Sequence, residues 1–180
     1  NEVETKEATT HTVASAFELI EKLNAAESGD VIDLKAGNYQ LTNSLVVDKT
    51  ITIQSSEEVT LNYNGAANSA AFLLQPYGKL LVKNIKLKGA NSQHAFASLK
   101  QNMSNHFGLE VVDSEISNFN YALKVYKQAF SEEITFINTT ILNCENGLEL
   151  SEETNDKGDY NTEYLTVDNC TFNNVKQNVI

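Results

Sequence analysis

The chain has 180 residues, of which 41% are hydrophobic, and this fits a single globular domain with a sizeable core. It carries 24 acidic residues against 13 basic ones, for a formal net charge of −11, and every basic residue is a lysine. Such a surface argues against a nucleic-acid partner, and it repels polyanions unless lysines cluster locally. The sequence contains no apolar run of the roughly 18–20 residues that a membrane span requires.

The start of the chain predicts a cap. Residues 1–12 form a polar leader, and Thr12 can act as the N-cap of a helix over residues 13–26. The apolar residues of this helix that share one face are Ala16, Phe17, Ile20 and Leu23. We expect the helix to lie across the first strands and cover their apolar end.

Short strands separated by turns follow the helix. The pattern predicts strands at residues 31–34, 45–47, 51–53 and 59–62, with a turn at residues 36–39. Because the chain begins with Asn1 rather than methionine, we expect a piece of a longer protein whose secretion signal lies elsewhere.

The rest of the chain is a repeat. Four segments follow the template apolar, x, apolar, x, Asn/Asp, x, x, apolar, x, Asn/Gly, and they begin at Leu80, Leu109, Ile134 and Leu165. Their starts are 29, 25 and 31 residues apart, and a weaker copy begins at Ile51, again 29 residues before Leu80. Periods of this length are typical of solenoids.

The template itself predicts three strands per coil. Apolar residues two apart face inward along one strand, and the Asn or Asp then bends the chain into a second strand. A third strand is expected at residues 95–99, 122–125 and 147–150, and begins again at 178–180. The bend residues would stack about 4.8 Å apart as a structural ladder of Asn84, Asp113, Asn138 and Asn169.

We therefore predict an all-β fold, a right-handed single-stranded parallel β-helix with coils over residues 31–180 and an N-terminal cap helix. A β-sandwich also uses many short strands, but it gives no reason for four in-phase copies. The last copy is followed by only the start of a third strand, so we expect 1–180 to be one domain that continues beyond Ile180. Cys144 and Cys170 fall at different phases of the repeat, which favours two buried free thiols.

Motifs for chemistry are sparse. The sequence has no phosphate-binding glycine loop, no nucleophile elbow and no zinc-protease motif. The three histidines, His11, His94 and His106, lie in the leader and in predicted loops, where we expect them to be solvated. In the acidic loop 152–159, Glu153, Asn155 and Asp159 are candidate calcium ligands around Gly158, although the loop departs from the EF-hand pattern and favours a solvated loop.

One lysine cluster is a candidate carbohydrate contact. Lys100, Lys124 and Lys127, with Tyr126, are expected on the face formed by the third strands. The repeat places Ala97, Lys124 and Glu149 in one outward column, so the positive charge does not continue along the face.

Two stretches resemble a known family. Gly29-Asp-Val-Ile-Asp-Leu-Lys-Ala-Gly-Asn-Tyr39, after the helix, resembles the opening of pectate-lyase-like β-helices. Glu163-Tyr-Leu-Thr-Val-Asp-Asn-Cys-Thr-Phe-Asn-Asn-Val looks like a coil of polysaccharide lyase family 6, the alginate lyase and chondroitinase B family. More particularly, it resembles the second, C-terminal β-helix that some members carry after the catalytic one.

The resemblance implies an accessory role. Family members use a lysine base, an arginine partner and usually calcium to stabilise the developing enolate. This chain has no arginine, and the family's catalytic set maps onto none of its positions. We therefore expect no catalytic residue, cofactor or metal in this segment, with calcium held by the catalytic domain of the parent lyase.

The expectation is thus a non-catalytic β-helix domain of a secreted bacterial lyase acting on alginate or a related uronate polymer. Its partners would be the catalytic β-helix of the same chain and the polysaccharide, outside the cell or in the periplasm. The alternative is a non-enzymatic adhesive or carbohydrate-binding protein of the bacterial cell surface. A glycosidase ranks last, because Glu110 and Glu133 are not at matching phases of the repeat.

Overall fold

The computed structural model describes residues 6–100, 106–127, 129–151 and 162–180. Its elements, in chain order, are β1 (Thr10–Val13), α1 (Ala16–Ala25), β2 (Val31–Leu34), β3 (Gly37–Leu41), β4 (Leu45–Val47), β5 (Thr50–Gln54), β6 (Val59–Tyr63), β7 (Ala70–Leu74), β8 (Lys79–Lys83), β9 (Lys86–Lys88), β10 (His94–Ser98), β11 (Phe107–Val112), β12 (Glu115–Ser117), β13 (Tyr121–Lys124), β14 (Ser131–Ile137), β15 (Thr140–Leu142), β16 (Asn146–Glu149), β17 (Thr162–Asp168) and β18 (Thr171–Asn173).

The strands form three parallel sheets that wrap around one core. The first sheet has the order β1-β2-β5-β8-β11-β14-β17, the second β3-β6-β9-β12-β15-β18 and the third β4-β7-β10-β13-β16. Each complete coil, from β2–β4 to β14–β16, contributes one strand to each sheet, and the fold is the predicted right-handed parallel β-helix.

The repeat sets the register between coils. Leu109 pairs with Leu80 on one side and with Ile134 on the other, and Ile134 pairs with Leu165. The weaker copy is also in phase, because Ile51 pairs with Leu80. Ile51, Leu80, Leu109 and Ile134 form one buried column, and Leu165 extends it on the last coil, where it is 41% exposed. The same template position of every coil therefore lies at the same point around the core.

Aromatic side chains fill the middle of the core. Phe72 and Phe96 are fully buried and stacked, with ring centroids 5.4 Å apart. Phe136 meets Phe96 edge-on at 6.5 Å. Stacking of this kind adds to the burial of apolar area that stabilises the solenoid.

The bends carry a ladder of asparagines. All four predicted positions, at the turn from the first to the second sheet, adopt positive φ angles of 49–54°. Asn138 Nδ2 donates to Asp113 Oδ1 at 3.2 Å, and Asn169 Nδ2 donates to Asn138 Oδ1 at 2.6 Å. Asn84 instead donates to the backbone oxygen of Ser55 at 2.8 Å. A short amide side chain suits both the left-handed backbone and these contacts.

The N-terminus differs from the prediction. Part of the expected leader is strand β1, which pairs with β2, and the helix begins at Ala16 rather than at residue 13. Its N-cap is Ser15, not Thr12, because Ser15 Oγ accepts the backbone N–H of Glu18 at 3.2 Å. Ser15 and Glu18, three residues apart, form most of a capping box, a stronger start signal than a lone threonine.

The predicted apolar face of the helix is also wrong in part. Leu19 and Leu23 are its buried residues, whereas Phe17 is 69% exposed and Ile20 is 39% exposed. The face that meets the core is formed by Ala16, Leu19, Leu23 and Ala26, which recur at helical spacing beside the predicted face.

Two further strands were not predicted. Residues 36–39, expected to be a turn, lie mostly in β3, where Tyr39 is buried and its hydroxyl donates to the backbone oxygen of Lys35 at 2.7 Å. Strand β7 was missed because a nearly continuous apolar run lacks the alternation of a half-buried strand.

The two cysteines are free thiols, as expected, with Cys144 buried and Cys170 half-buried. Residues 178–180, expected to start another third strand, are assigned no strand, but they run beside β16 and accept its backbone hydrogen bonds. The N–H groups of Gly147 and Leu148 donate to the backbone oxygens of Asn178 and Val179, at 2.8 and 2.9 Å.

Candidate functional site

The outward face of the third sheet carries the lysine cluster that the sequence singles out. Ala97, Lys124 and Glu149 occupy equivalent positions of neighbouring strands, as the repeat predicts. Lys124 forms an ion pair with Glu149 and is 8% exposed. Its Nζ lies 4.7 Å from the ring centre of Tyr121 and 5.3 Å from that of Tyr126. Lys124 is thus enclosed by an acid and two rings.

Lys100 and Lys127 are the exposed lysines of this cluster. Lys100 Nζ lies 5.1 Å from the ring centre of Tyr126, close enough for a cation–π contact. The backbone N–H of Tyr126 donates to Ser98 Oγ at 2.9 Å, which fixes the segment after β13 against β10. We call Lys100, Lys124, Tyr126 and Lys127 the lysine–tyrosine patch.

A cavity of about 260 Å³ lies beside the patch. Its lining combines hydroxyl groups, an apolar wall and a charged end, and includes Ser44, Ser69, Leu73, Ser98, Lys100 and Tyr126. The volume falls just below the roughly 300–1,000 Å³ typical of drug-sized ligands, so it suits a single sugar unit of a longer chain.

His94 lies behind the patch and is 2% exposed. Its Nε2 lies 3.2 Å from the hydroxyl of Tyr126, and its ring meets that of Tyr121 edge-on at 5.3 Å. Burial, together with the charges of Lys124 and Lys100, lowers the pKa of His94 from 6.5 to about 4. The imidazole is therefore neutral at neutral pH, and among the described residues its Nδ1 has no hydrogen-bond partner.

The expectation of solvated histidines is wrong for two of the three. His94 belongs to a strand and is buried, and His11 lies in β1, where its Nε2 is 3.0 Å from Asp30 Oδ2. Only His106 is exposed as expected.

The chemistry that this arrangement supports is binding of an anionic sugar. Exposed ammonium groups can neutralise a carboxylate, while a tyrosine ring packs on the apolar face of a sugar and nearby hydroxyls meet its hydroxyl groups. Lys124, which faces Glu149, is placed to support Tyr126 from behind rather than to contact a ligand directly.

Sequence reasoning missed two members of this site. Tyr121 and His94 lie close to Lys124 in the fold, but they are 3 and 30 residues away from it in sequence. A comparison of all equivalent positions in the third strands, rather than of lysines alone, would have found Tyr121 and His94, because these two residues pair between β13 and β10.

The other candidates lie elsewhere. The structural ladder runs along the bend between the first and second sheets, away from the third-sheet face. The acidic loop with Glu153, Asn155 and Asp159 lies outside the described residues. Within the described ranges, no three His, Cys, Asp or Glu side chains are grouped to hold a metal ion, and no helix is long and apolar enough to cross a membrane.

Glu110 and Glu133 share the outward face of the first sheet but are two residues out of register. Glu110 pairs with Thr135, whereas Glu133 pairs with Gly108. The phase mismatch inferred from the sequence is therefore present, although both carboxylates line the same groove.

Comparison with known proteins gives a fold but no sequence family. No family model and no curated protein matches the chain. Two solved structures of AlyGC, an alginate lyase of polysaccharide lyase family 6, match with a TM-score of 0.82, one of them an arginine-to-alanine mutant. The identity is 22%, over 97% of this chain and 26% of AlyGC, so the chain spans about a quarter of that protein. At this level the comparison establishes that the chain shares the β-helix fold of a family 6 alginate lyase.

Proposed function

We propose that this chain is a non-catalytic β-helix domain of a secreted bacterial polysaccharide lyase, and that its third-sheet face contacts a uronate polymer. The observation that carries the proposal is the position of Lys100 above the Tyr126 ring, beside exposed Lys127 and a sugar-sized cavity. The fold shared with an alginate lyase supports a uronate as the polymer.

Local charge makes a uronate ligand reasonable on an acidic protein. The chain as a whole has a net charge of −11 and repels polyanions at long range. Among the described residues of the third-sheet face, Glu149 pairs with Lys124. Lys100 and Lys127 are exposed, and their ammonium groups would meet successive carboxylates of the polymer.

The absence of arginine from the sequence supports binding rather than β-elimination. Proton abstraction next to a uronate carboxylate needs a base and a positive group that stabilises the enolate. Lys124 is enclosed, and it faces Glu149 rather than the cavity. Catalysis would then belong to a second β-helix of the parent lyase, which would hold any calcium and pack against this domain.

Calorimetric titration with a defined hexauronate tests the binding half of the proposal. Lys100→Gln and Lys127→Gln should each weaken binding by roughly fivefold, the loss of about 1 kcal/mol for one exposed charged contact. Lys88→Gln, which removes an exposed lysine of the second sheet, is the matched control and should change the affinity less than twofold. Equal losses from all three variants would mean nonspecific attraction and would refute the patch.

An ultraviolet assay for unsaturated uronate products, with and without added calcium, tests the non-catalytic half. We expect no steady product formation by this chain alone. Sustained formation would overturn the accessory role. Failure to bind uronates, together with neutral-polymer binding that weakens in Lys100→Gln, would favour the adhesive alternative.

A further inference from the structure

Tyr77 is an exposed aromatic residue at the turn that leads from β7 of the third sheet into β8 of the first sheet. Tyr77 is 68% exposed and follows Pro76 in a turn closed by the N–H of Gly78, which donates to the backbone oxygen of Gln75 at 2.9 Å. The φ angle of Tyr77 is +62°, a position that normally takes glycine or asparagine. A bulky residue held there against its steric preference points to a role for the side chain.

The next two coils add aromatic rings to Tyr77. His106, with φ at +55°, stacks on Tyr77 with ring centroids 5.9 Å apart and ring planes 10° apart. Phe130 meets His106 edge-on at 4.9 Å. Because Tyr77 stays 68% exposed with one face against His106, its other face is open to solvent. These three residues form an aromatic row across successive coils.

A groove of about 290 Å³ lies on the first sheet beside the aromatic row, and its residues Lys79, Gly108 and Glu132 each follow a residue of the row by two positions. Along its floor Lys79, Gly108 and Glu133 occupy equivalent positions of β8, β11 and β14, so the glycine leaves a notch between two long side chains. Gly108 has no positive φ, and a Cβ there would meet Lys79 Cγ at 3.4 Å, an ordinary contact. Neither the backbone nor the packing therefore requires glycine.

A β-bulge shapes the same groove. The register between β11 and β14 shifts after Phe107, so Glu132 is the extra residue and both Glu132 and Glu133 line the groove. Bulges re-aim side chains and are frequent beside functional sites. Lys79 Nζ lies 3.2 Å from Glu132, which leaves Glu133 and Glu110 as excess negative charge.

We propose that the aromatic row and this groove form a binding site for a neutral glycan. The open tyrosine face would pack on the C–H face of a pyranose ring. The carboxylates would accept hydrogen bonds from its hydroxyl groups, and the hydroxyls of Thr50 and Thr52 would accept or donate them. The excess negative charge disfavours a uronate. The site uses none of the residues of the lysine–tyrosine patch, so either proposal can fail while the other stands.

The test titrates the intact chain with cellohexaose, mannohexaose, laminarihexaose and a hexauronate, and measures melting temperatures in parallel. At least one neutral hexaose should bind saturably. Tyr77→Asn keeps a residue suited to positive φ but removes the ring, so binding should weaken roughly tenfold with the melting temperature unchanged or higher. Gly108→Thr should fill the notch with the same result, because a β-branched residue suits a strand better than glycine. Phe17→Gln, with an equally exposed ring on the cap helix, is the control and should leave binding unchanged.

The outcomes separate the two proposals. Hexauronate binding should respond to Lys100→Gln but not to Tyr77→Asn. The neutral-glycan proposal is wrong if no neutral hexaose binds saturably at concentrations up to about 10 mM, if a cationic chitosan hexaose binds instead, or if Tyr77→Asn lowers the melting temperature without changing binding.

Discussion

Acidification should destabilise this protein through His94 before most carboxylates titrate. In the folded chain Tyr121, Tyr126, Lys124 and Lys100 surround the imidazole, and burial with the two lysine charges holds its pKa at about 4 instead of 6.5. Between pH 4 and pH 6.5, His94 is therefore mostly protonated in the unfolded chain and mostly neutral in the folded chain. Stability is fully present above about pH 6.5 and is lost as the pH falls towards 4.

The size of the effect follows from the two pKa values. With His94 at about 4 when folded and 6.5 when unfolded, linkage gives a loss of about 2 kcal/mol between pH 7 and pH 5. For a chain of this length that corresponds to a fall in melting temperature of roughly 4–8 °C.

The measurement is urea unfolding at half-unit intervals from pH 5 to pH 7, comparing the slope of the unfolding free energy with pH. His94→Gln removes the titrating group, so the unfolding free energy of this variant should change less steeply with pH, by the amount attributed to His94. This comparison of slopes holds even if the substitution shifts the stability equally at every pH. Tyr126→Phe, which keeps the imidazole buried but removes its hydroxyl partner, should retain the wild-type slope. An identical slope in wild type and His94→Gln would show that His94 titrates normally and that the patch is not packed as described.

Three further predictions concern the scaffold. Asn138→Ala should lower the unfolding free energy by about 1–3 kcal/mol, since it places alanine at φ +49° and removes two ladder hydrogen bonds. Asn138→Gly should lower it less, because glycine tolerates this φ angle. Equal losses of the two variants in urea unfolding would show that backbone strain is irrelevant at this position. Hydrogen bonds from His11 and from two backbone N–H groups hold the pKa of Asp30 at about 2 instead of 3.8, so stability should fall as the pH drops from about 4 towards 2, and acid unfolding of Asp30→Asn should lack that component. Phe96→Ala should cost about 3–5 kcal/mol by calorimetry because the ring is fully buried and stacked, and a loss below about 1 kcal/mol would mean that the core repacks freely.

The sequence predicts the coils well because one short template sets both strand direction and bend. Leu80, Leu109, Ile134 and Leu165 pair as the repeat requires, and the asparagine or aspartate at each bend is a residue type that positive φ favours. The N-terminal part of the chain is less predictable. The helix start depends on the cap formed by Ser15 with Glu18, and β7, which closes the second coil, is a continuous apolar run whose period gives no strand signal.

The candidate site was predictable only in part. Lys124 and Glu149 share a column that the repeat defines, but burial of Lys124 comes from the rings of Tyr121 and Tyr126, which the template does not contain. The aromatic row was missed for a similar reason. Tyr77, His106 and Phe130 lie in turns of unequal length, so their alignment depends on the folded path of each turn rather than on the period.

Binding of a uronate chain to the third sheet without cleavage is what we propose for this β-helix. One proton NMR titration with a saturated hexauronate measures both parts, because amide shifts report binding and olefinic sugar protons report β-elimination. We expect saturable shifts of the amides of Ser98, Lys100, Tyr126 and Lys127 around the cavity, with the hexauronate signals intact after prolonged incubation. Olefinic signals that grow with time would show that the chain cleaves the polymer. The absence of shifts from these amides would show that the third sheet does not bind it.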